Sequence, residues 1–284
     1  MTAIEDWLRD PYTIYAKYIL KLEALDPVDM PLSAADRGSA IHDALGEFTK
    51  DFADRLPDDP ALVLKQIGEK YFAPLMERPE ARALWWPRFQ RIAGWFADWE
   101  IARRGHIERI EAEIRGEIPI PLDHERTFIL SARADRVERR DDGSFAILDY
   151  KTGQPPTGKQ VRMGLSPQLT LEAAILREGG FEGIAAGASV GELVYVRLSG
   201  NNPPGEQRSL ELKIKPGDTP QPPDDAADYA RKQLEALIRK FEDEAEPYRS
   251  LNLPMWTNRV KSPRHVKYRC HVLVCTHVVS TWNS

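Results

Sequence analysis

The chain of 284 residues is long enough to bury a sizeable core, and its 42% hydrophobic and 29% charged residues exclude disorder along its whole length. No apolar run approaches the roughly 20 residues that span a bilayer, and two cysteines are too few for a disulfide scaffold. The net charge of −5 argues against a broad basic surface for nucleic acid but leaves room for a local site that holds cations between carboxylates. The first third of the chain reads as helical. Tyr12, Tyr15, Ile19 and Leu22 recur at helical spacing, and Pro27 and Pro31 mark a loop. Ser33 with Asp36 has the pattern of a helix start, followed by Ile41, Leu45, Phe48 and Phe52 on one face. A further helix, starting near Pro87, carries Trp85, Phe89, Ile92, Phe96 and Trp99 as a stripe that reads as core rather than as a base-stacking platform.

From about residue 107 the period changes to that of strands, over 109–121, 127–138 and 144–151, with Asp141-Asp142-Gly143 as the turn joining the last two in a hairpin. Residues 166–178 return to a helical pattern and 191–197 form another strand. A Pro/Gly-rich stretch, 200–223, precedes an amphipathic helix with Ala230, Leu234, Leu237 and Phe241 on its apolar face. The expected fold is α/β, with a mixed central sheet flanked by helices and a helical N-terminal extension. The expected division is a helical part at 1–106, a core with its C-terminal helix at 107–257, and an atypical basic tail at 258–284, in one compact domain overall. The tail stands apart in composition. After Glu246 the chain has no acidic residue, so its last 38 residues carry +6 while the first 246 carry −11. Cys270, His271, Cys275 and His277 lie there, but their spacing fits no standard zinc site, and the segment reads as a substituted C-terminus.

The chemistry concentrates in "FAILDYKTGQPP", residues 145–156. Side chains alternate along a strand, so Asp149 and Lys151 share one face while Leu148 and Tyr150 share the other. Across the hairpin, Asp135 in "SARADRVERR" can bring a second carboxylate beside Asp149. Two buried carboxylates repel, and a divalent cation removes the penalty, with phosphate oxygens completing its shell. On the first strand Glu111, Glu113 and Glu117 share a parity. Glu113 is the choice for a further acidic ligand, although a solvated strand face explains all three nearly as well.

In chain order, "RGSAIHDAL" (37–45), "IEAEIRGEIPI" (110–120), "ARADRVE" (132–138), "ILDYKTG" (147–153) and "SPQLTLEAAIL" (166–176) form a set. That set resembles the RecB-type nuclease domain of the PD-(D/E)XK superfamily, with its restriction-endonuclease-like core. Within it, the chain is similar to the C-terminal nuclease domain of alphaproteobacterial AddB-type subunits of helicase–nucleases that process double-strand breaks. The resemblance covers roughly residues 1 to 257.

It implies a Mg²⁺-dependent (or Mn²⁺-dependent) deoxyribonuclease in which His42, Asp135, Asp149 and the backbone carbonyl of Tyr150 hold the metal, with Glu113 as a further ligand. Lys151 would be the catalytic lysine, and Gln168 would lie near it and the DNA backbone. Lys159 and Arg162 are candidates for contacts to DNA phosphates, with an exposed solubilising role as the equal alternative. The resemblance also implies a cytoplasmic, nucleoid-associated protein with DNA and an AddA-type subunit as partners and no membrane. The chain departs from the family twice. Glu172 stands where an aromatic residue is usual, and no cysteine lies in residues 7–20, so no iron–sulfur cluster is expected. Two other readings are a catalytically idle module that binds DNA ends or docks a subunit, and a stand-alone RecB-like exonuclease. The chain has no Walker-type phosphate loop, so unwinding would come from elsewhere.

Overall fold

The computed structural model describes residues 2–23, 32–123, 125–213 and 217–250. Two short helices, α1 (Thr2–Arg9) and α2 (Pro11–Ile14), open the chain, and α2 runs on into a π-helical turn at Tyr15–Ile19. This segment is helical as expected, but the residues it buries are Ile14 and Ala16, while Tyr12, Tyr15 and Ile19 are half-buried and Leu22 is exposed. Helix α3 (Ala34–Asp51) begins with a complete capping box, in which Ser33 accepts from the Asp36 N–H and Asp36 accepts from the Ser33 N–H. Helices α4 (Pro60–Phe72) and α5 (Trp86–Arg103) follow, both with proline in the first turn, where its missing N–H costs nothing.

The strands are β1 (Ile107–Pro121), β2 (Thr127–Arg140), β3 (Phe145–Lys151), β4 (Val190–Leu198) and β5 (Gly205–Ser209), arranged in that order in one sheet. All neighbours are antiparallel except β3 and β4, which run parallel. The β2–β3 turn includes Gly143 at φ 80, a left-handed value that glycine adopts without strain. Parallel pairing requires a crossover, supplied by α6 (Gly158–Arg162) and α7 (Gln168–Arg177). Strand β5 lies inside the Pro/Gly-rich stretch and was not read from sequence, because "GEQRS" is short and polar. Its Gly205 lies so close to Trp95 that a Cβ there would stand 2.1 Å from the ring.

Two cores result, one on each face of the sheet. Leu148, Tyr150, Val194 and Val196 pack with α3, α4 and α5, including Leu45, Phe48, Phe89 and Phe96. On the other face Ile147, Leu193 and Tyr195 pack with α1, α7 and α8 (Pro223–Glu242), through residues such as Ile4, Leu171, Ile175 and Leu234. Helices α3, α4 and α5 therefore form one of the two layers on the sheet while α1 joins the other, and the aromatic stripe of α5 is core. The zinc-type residues of the tail, and the tail itself, lie outside the described residues. Among the described residues no helix is long and apolar enough to cross a membrane.

Candidate active site

The site forms where β2 and β3 part. Their ladder runs from Arg139 opposite Phe145 to Arg136 opposite Leu148. The next position in the same register would set Asp135 across from Asp149. There the Tyr150 N–H donates instead to Asp135 Oδ2 at 2.8 Å. The β1–β2 ladder skips the same level, pairing Ala112 with Arg136 and Ile114 with Ala134. Glu113, which lies between, has a left-handed φ of 54.

Asp149 is 1% exposed and faces Lys151, whose Nζ lies 2.9 Å from Oδ1 and 2.8 Å from Oδ2. The Oδ2 contact is an ion pair without hydrogen-bond geometry, so that buried oxygen lacks a hydrogen-bond donor. Gln168, from the first turn of α7, bridges the pair. Its Oε1 accepts from Lys151 at 3.0 Å and its Nε2 donates to Asp149 Oδ1 at 2.6 Å. The same Nε2 lies 3.3 Å from Oε1 of the fully buried Glu172. His42 comes from the opposite layer, on α3, with Nδ1 3.5 Å from Asp135 Oδ2. The α3 turn before it packs against the end of β3, where a Cβ on Gly38 would lie 3.4 Å from Thr152 Oγ1.

The electrostatics report an excess of negative charge. Burial pushes Asp149 up to about 6, with Asp135 adding to the rise and Lys151 opposing it. Asp135 is also raised by burial, against the hydrogen bond from Tyr150. Glu172 stands well above the usual carboxylate range through burial and then the charges of Asp149 and Asp135. Burial holds His42 below its ordinary value, so its ring is neutral at pH 7 and able to act as a ligand. Lys151 goes the other way. Burial would lower it, but Asp149, with Asp135 and Glu5 behind it, outweighs burial and raises it, so the ammonium stays charged.

Among the described residues no three histidine, cysteine or acidic side chains stand as a ready-made metal cage. Lys151 fills the space at Asp149 and supplies the counter-charge there. The donor set nonetheless suits a hard divalent cation: two mutually repelling carboxylates, a neutral imidazole, and a carboxylate oxygen without a donor.

Of the acids on β1, Glu111 pairs with Arg109, whereas Glu113 pairs with Arg133 at 2.7 Å and is raised by burial and then by Asp135. Lys159 is exposed on α6, and Arg162 is partly buried with an unpartnered Nε; neither contacts the carboxylates. Sequence reasoning missed two neighbours. Glu5 of α1 is raised by burial and feels the charges of Lys151 and Asp149. Tyr195, the β4 partner of Asp149, buries an unpartnered hydroxyl. An acid in the short first helix carries no motif, and Tyr195 reads as an ordinary strand aromatic.

A match to the PD-(D/E)XK nuclease superfamily spans residues 1–270. The chain belongs to that superfamily. Asp149, Tyr150 and Lys151 stand at the end of β3 within the matched region, and the match runs past the composition break at Glu246 and beyond residue 257. Curated relatives include uncharacterized proteins of Rickettsia bellii, 33% identical over 64% of this chain and 22% of the relative, and of Rickettsia typhi, 32% identical over 64% and 21%. The matched region thus spans about a fifth of their length. A solved structure titled "Crystal structure of SSO0001" aligns over 82% of this chain and 86% of its own, at 11% identity and a TM-score of 0.28.

Proposed function

We propose that this nuclease-superfamily chain hydrolyses phosphodiester bonds of DNA with Mg²⁺, as the nuclease unit of an AddAB-type helicase–nuclease in double-strand break repair. The observation that carries the reading is the convergence of Asp135, Asp149, Lys151, Gln168 and His42, from four separate elements, at one end of the sheet. His42, Asp135, Asp149 and the Tyr150 carbonyl would hold the metal, with Glu113 in reserve beside Asp135. When bound, the cation supplies charge stabilisation at phosphorus and a more acidic water.

The chain's own groups account for the rest. Lys151, kept charged by Asp149, orients the attacking water and neutralises the phosphate it approaches. Gln168 fixes the ammonium by accepting from it while donating to Asp149. Water adds to phosphorus in line with the departing 3′ oxygen, the P–O3′ bond breaks, and the products are a 5′-phosphate and a 3′-hydroxyl. The Rickettsia relatives carry the matched region within much longer chains, which supports a unit working beside other domains; an AddA-type partner and a cytoplasmic location complete the proposal. An idle end-binding module has less support, because such a module has no use for a charged lysine tied to a buried carboxylate.

The test is digestion of single-stranded DNA by the purified chain with Mg²⁺ or with EDTA. Lys151→Ala should lower the rate by about 10²–10⁴-fold while Mn²⁺ binding, followed by electron paramagnetic resonance, persists. Digestion by that variant at the original rate would refute the mechanism.

A further inference from the structure

The rim of the site on the α3–α5 side is positively charged and has no assigned role. Arg37 immediately precedes Gly38, which packs on Thr152, the residue after Lys151. Arg88, in the first turn of α5, lies against the chain just beyond β4. A Cβ on Gly200 would stand 2.6 Å from Arg88 Cβ, and Arg91 Nε donates to the Gly200 carbonyl at 2.8 Å. Strand β4 ends there, and its Arg197 is the register partner of Lys151. Both arginines therefore sit at the end of the sheet that carries the carboxylates and Lys151.

Arg37 and Arg88 are half-buried, and among the described residues neither has a carboxylate partner. Arg37 is instead influenced by burial and then by the like charge of Arg88, both of which lower its pKa. Arg103 and Arg177, by contrast, are paired, with Glu138 and Asp224 respectively. Two adjacent, unpaired and partly desolvated guanidinium groups are costly unless an anion joins them, and their planar forks suit phosphate oxygens. A polyanion approaching Asp135, Asp149, Glu172 and Glu5 also needs positive charge nearby to offset repulsion.

We propose that Arg37 and Arg88, backed by Arg91, form a shelf that grips backbone phosphates of the nucleic-acid strand adjacent to the bond being cut. The proposal rests on the nuclease reading and extends it to substrate positioning.

The experiment measures binding of a labelled single-stranded oligothymidylate to the full 284-residue chain by fluorescence anisotropy, in EDTA, across a salt series. Arg37→Ala/Arg88→Ala should weaken binding at least tenfold, and the slope of log affinity against log salt should shrink by about 1.4, at about 0.7 per phosphate contact. Arg37→Lys/Arg88→Lys should keep most of the slope while losing part of the affinity. Arg139→Ala, at the far end of β2 and paired with Glu108, should change neither. An unchanged slope in the double alanine variant, an equal loss in Arg139→Ala, or no binding by the unmodified chain at low salt would each overturn the shelf. Cleavage by Lys151→Ala in Mg²⁺ tests the nuclease reading separately. A dead Lys151→Ala with full binding by the double alanine variant would remove the shelf and leave that reading standing.

Discussion

Arg136 offers the most demanding test of how β2 is held in place. It directly follows Asp135 and is fully buried, paired with Glu100 of α5 and with Glu138 at 2.7 Å. Arg104 secures Glu100 at 2.7 Å, and Arg103 joins Glu138 at 2.7 Å and Glu192 at 3.1 Å. Three guanidinium groups thus balance three carboxylates, two of which have no exposed surface. Arg136→Met keeps most of the volume but leaves that group one negative charge in excess. Each orphaned carboxylate retains one arginine, so the expected cost is that of one broken buried pair, about 3–5 kcal/mol. Against a typical total of about 5–15 kcal/mol this is a large fraction. Urea unfolding followed by tryptophan fluorescence is well suited, because Trp99 lies 5.3 Å from the Arg136 guanidinium. The double variant Arg136→Met/Glu100→Gln restores the balance of charge and should recover much of the loss. A cost under about 1 kcal/mol for Arg136→Met, or a double variant less stable than the sum of the singles, would refute the reasoning.

Two further tests concern stability. Burial pushes the Glu100 carboxyl up, but Arg136 and Arg104 outweigh it and the net shift is down from 4.5. Glu100 therefore contributes stability that is present above its unfolded value and lost as pH falls through its lower folded value. Glu100→Gln should be less stable than the parent at pH 7 and should flatten the acid limb below about pH 4.5, as read by thermal midpoints; an unaltered acid limb contradicts the assignment. Gly68→Ala gains about 1 kcal/mol of helix propensity. Its Cβ, however, would meet the fully buried Phe89 ring at 1.9 Å, and overpacking of about 1–3 kcal/mol should prevail and lower the melting temperature. A raised melting temperature would show that the α4–α5 contact gives way.

Much of the site was legible because it depends on parity and register. The alternation of "ILDYK" placed Asp149 and Lys151 together, and the short turn around Gly143 set Asp135 near Asp149. Ser33 and Asp36 announced α3 through side chains that bond the first turn. His42 could be placed only through the family resemblance, since nothing local ties α3 to the end of β3. Nothing in "ADRVERR" announces that Arg136 and Glu138 are buried, because charged residues are mostly exposed and their partners from α5 are known only from the packing. Glu172 was noticed as a departure, but its burial behind Gln168 required the packing of α7.

The two kinds of strand pairing in the sheet explain why these residues meet at all. Antiparallel pairing of β2 with β3 sets Asp135 level with Asp149, and the strands part there so that the Tyr150 N–H turns to a carboxylate. Parallel pairing of β3 with β4 forces a crossover, and that crossover lays the first turn of α7 over the same strand end, bringing Gln168 and Glu172. On the opposite face, α3 must approach the end of β3 closely enough for His42 to reach Asp135, and Gly38 leaves room beside Thr152. A one-residue slip of β3 would turn Asp149 and Lys151 into the Phe48–Phe96 core and expose Leu148 and Tyr150 to the carboxylates. Register in β3 is consequently fixed by the same apolar residues that hold the two layers together, so the geometry of the site and the stability of the fold rest on one set of contacts.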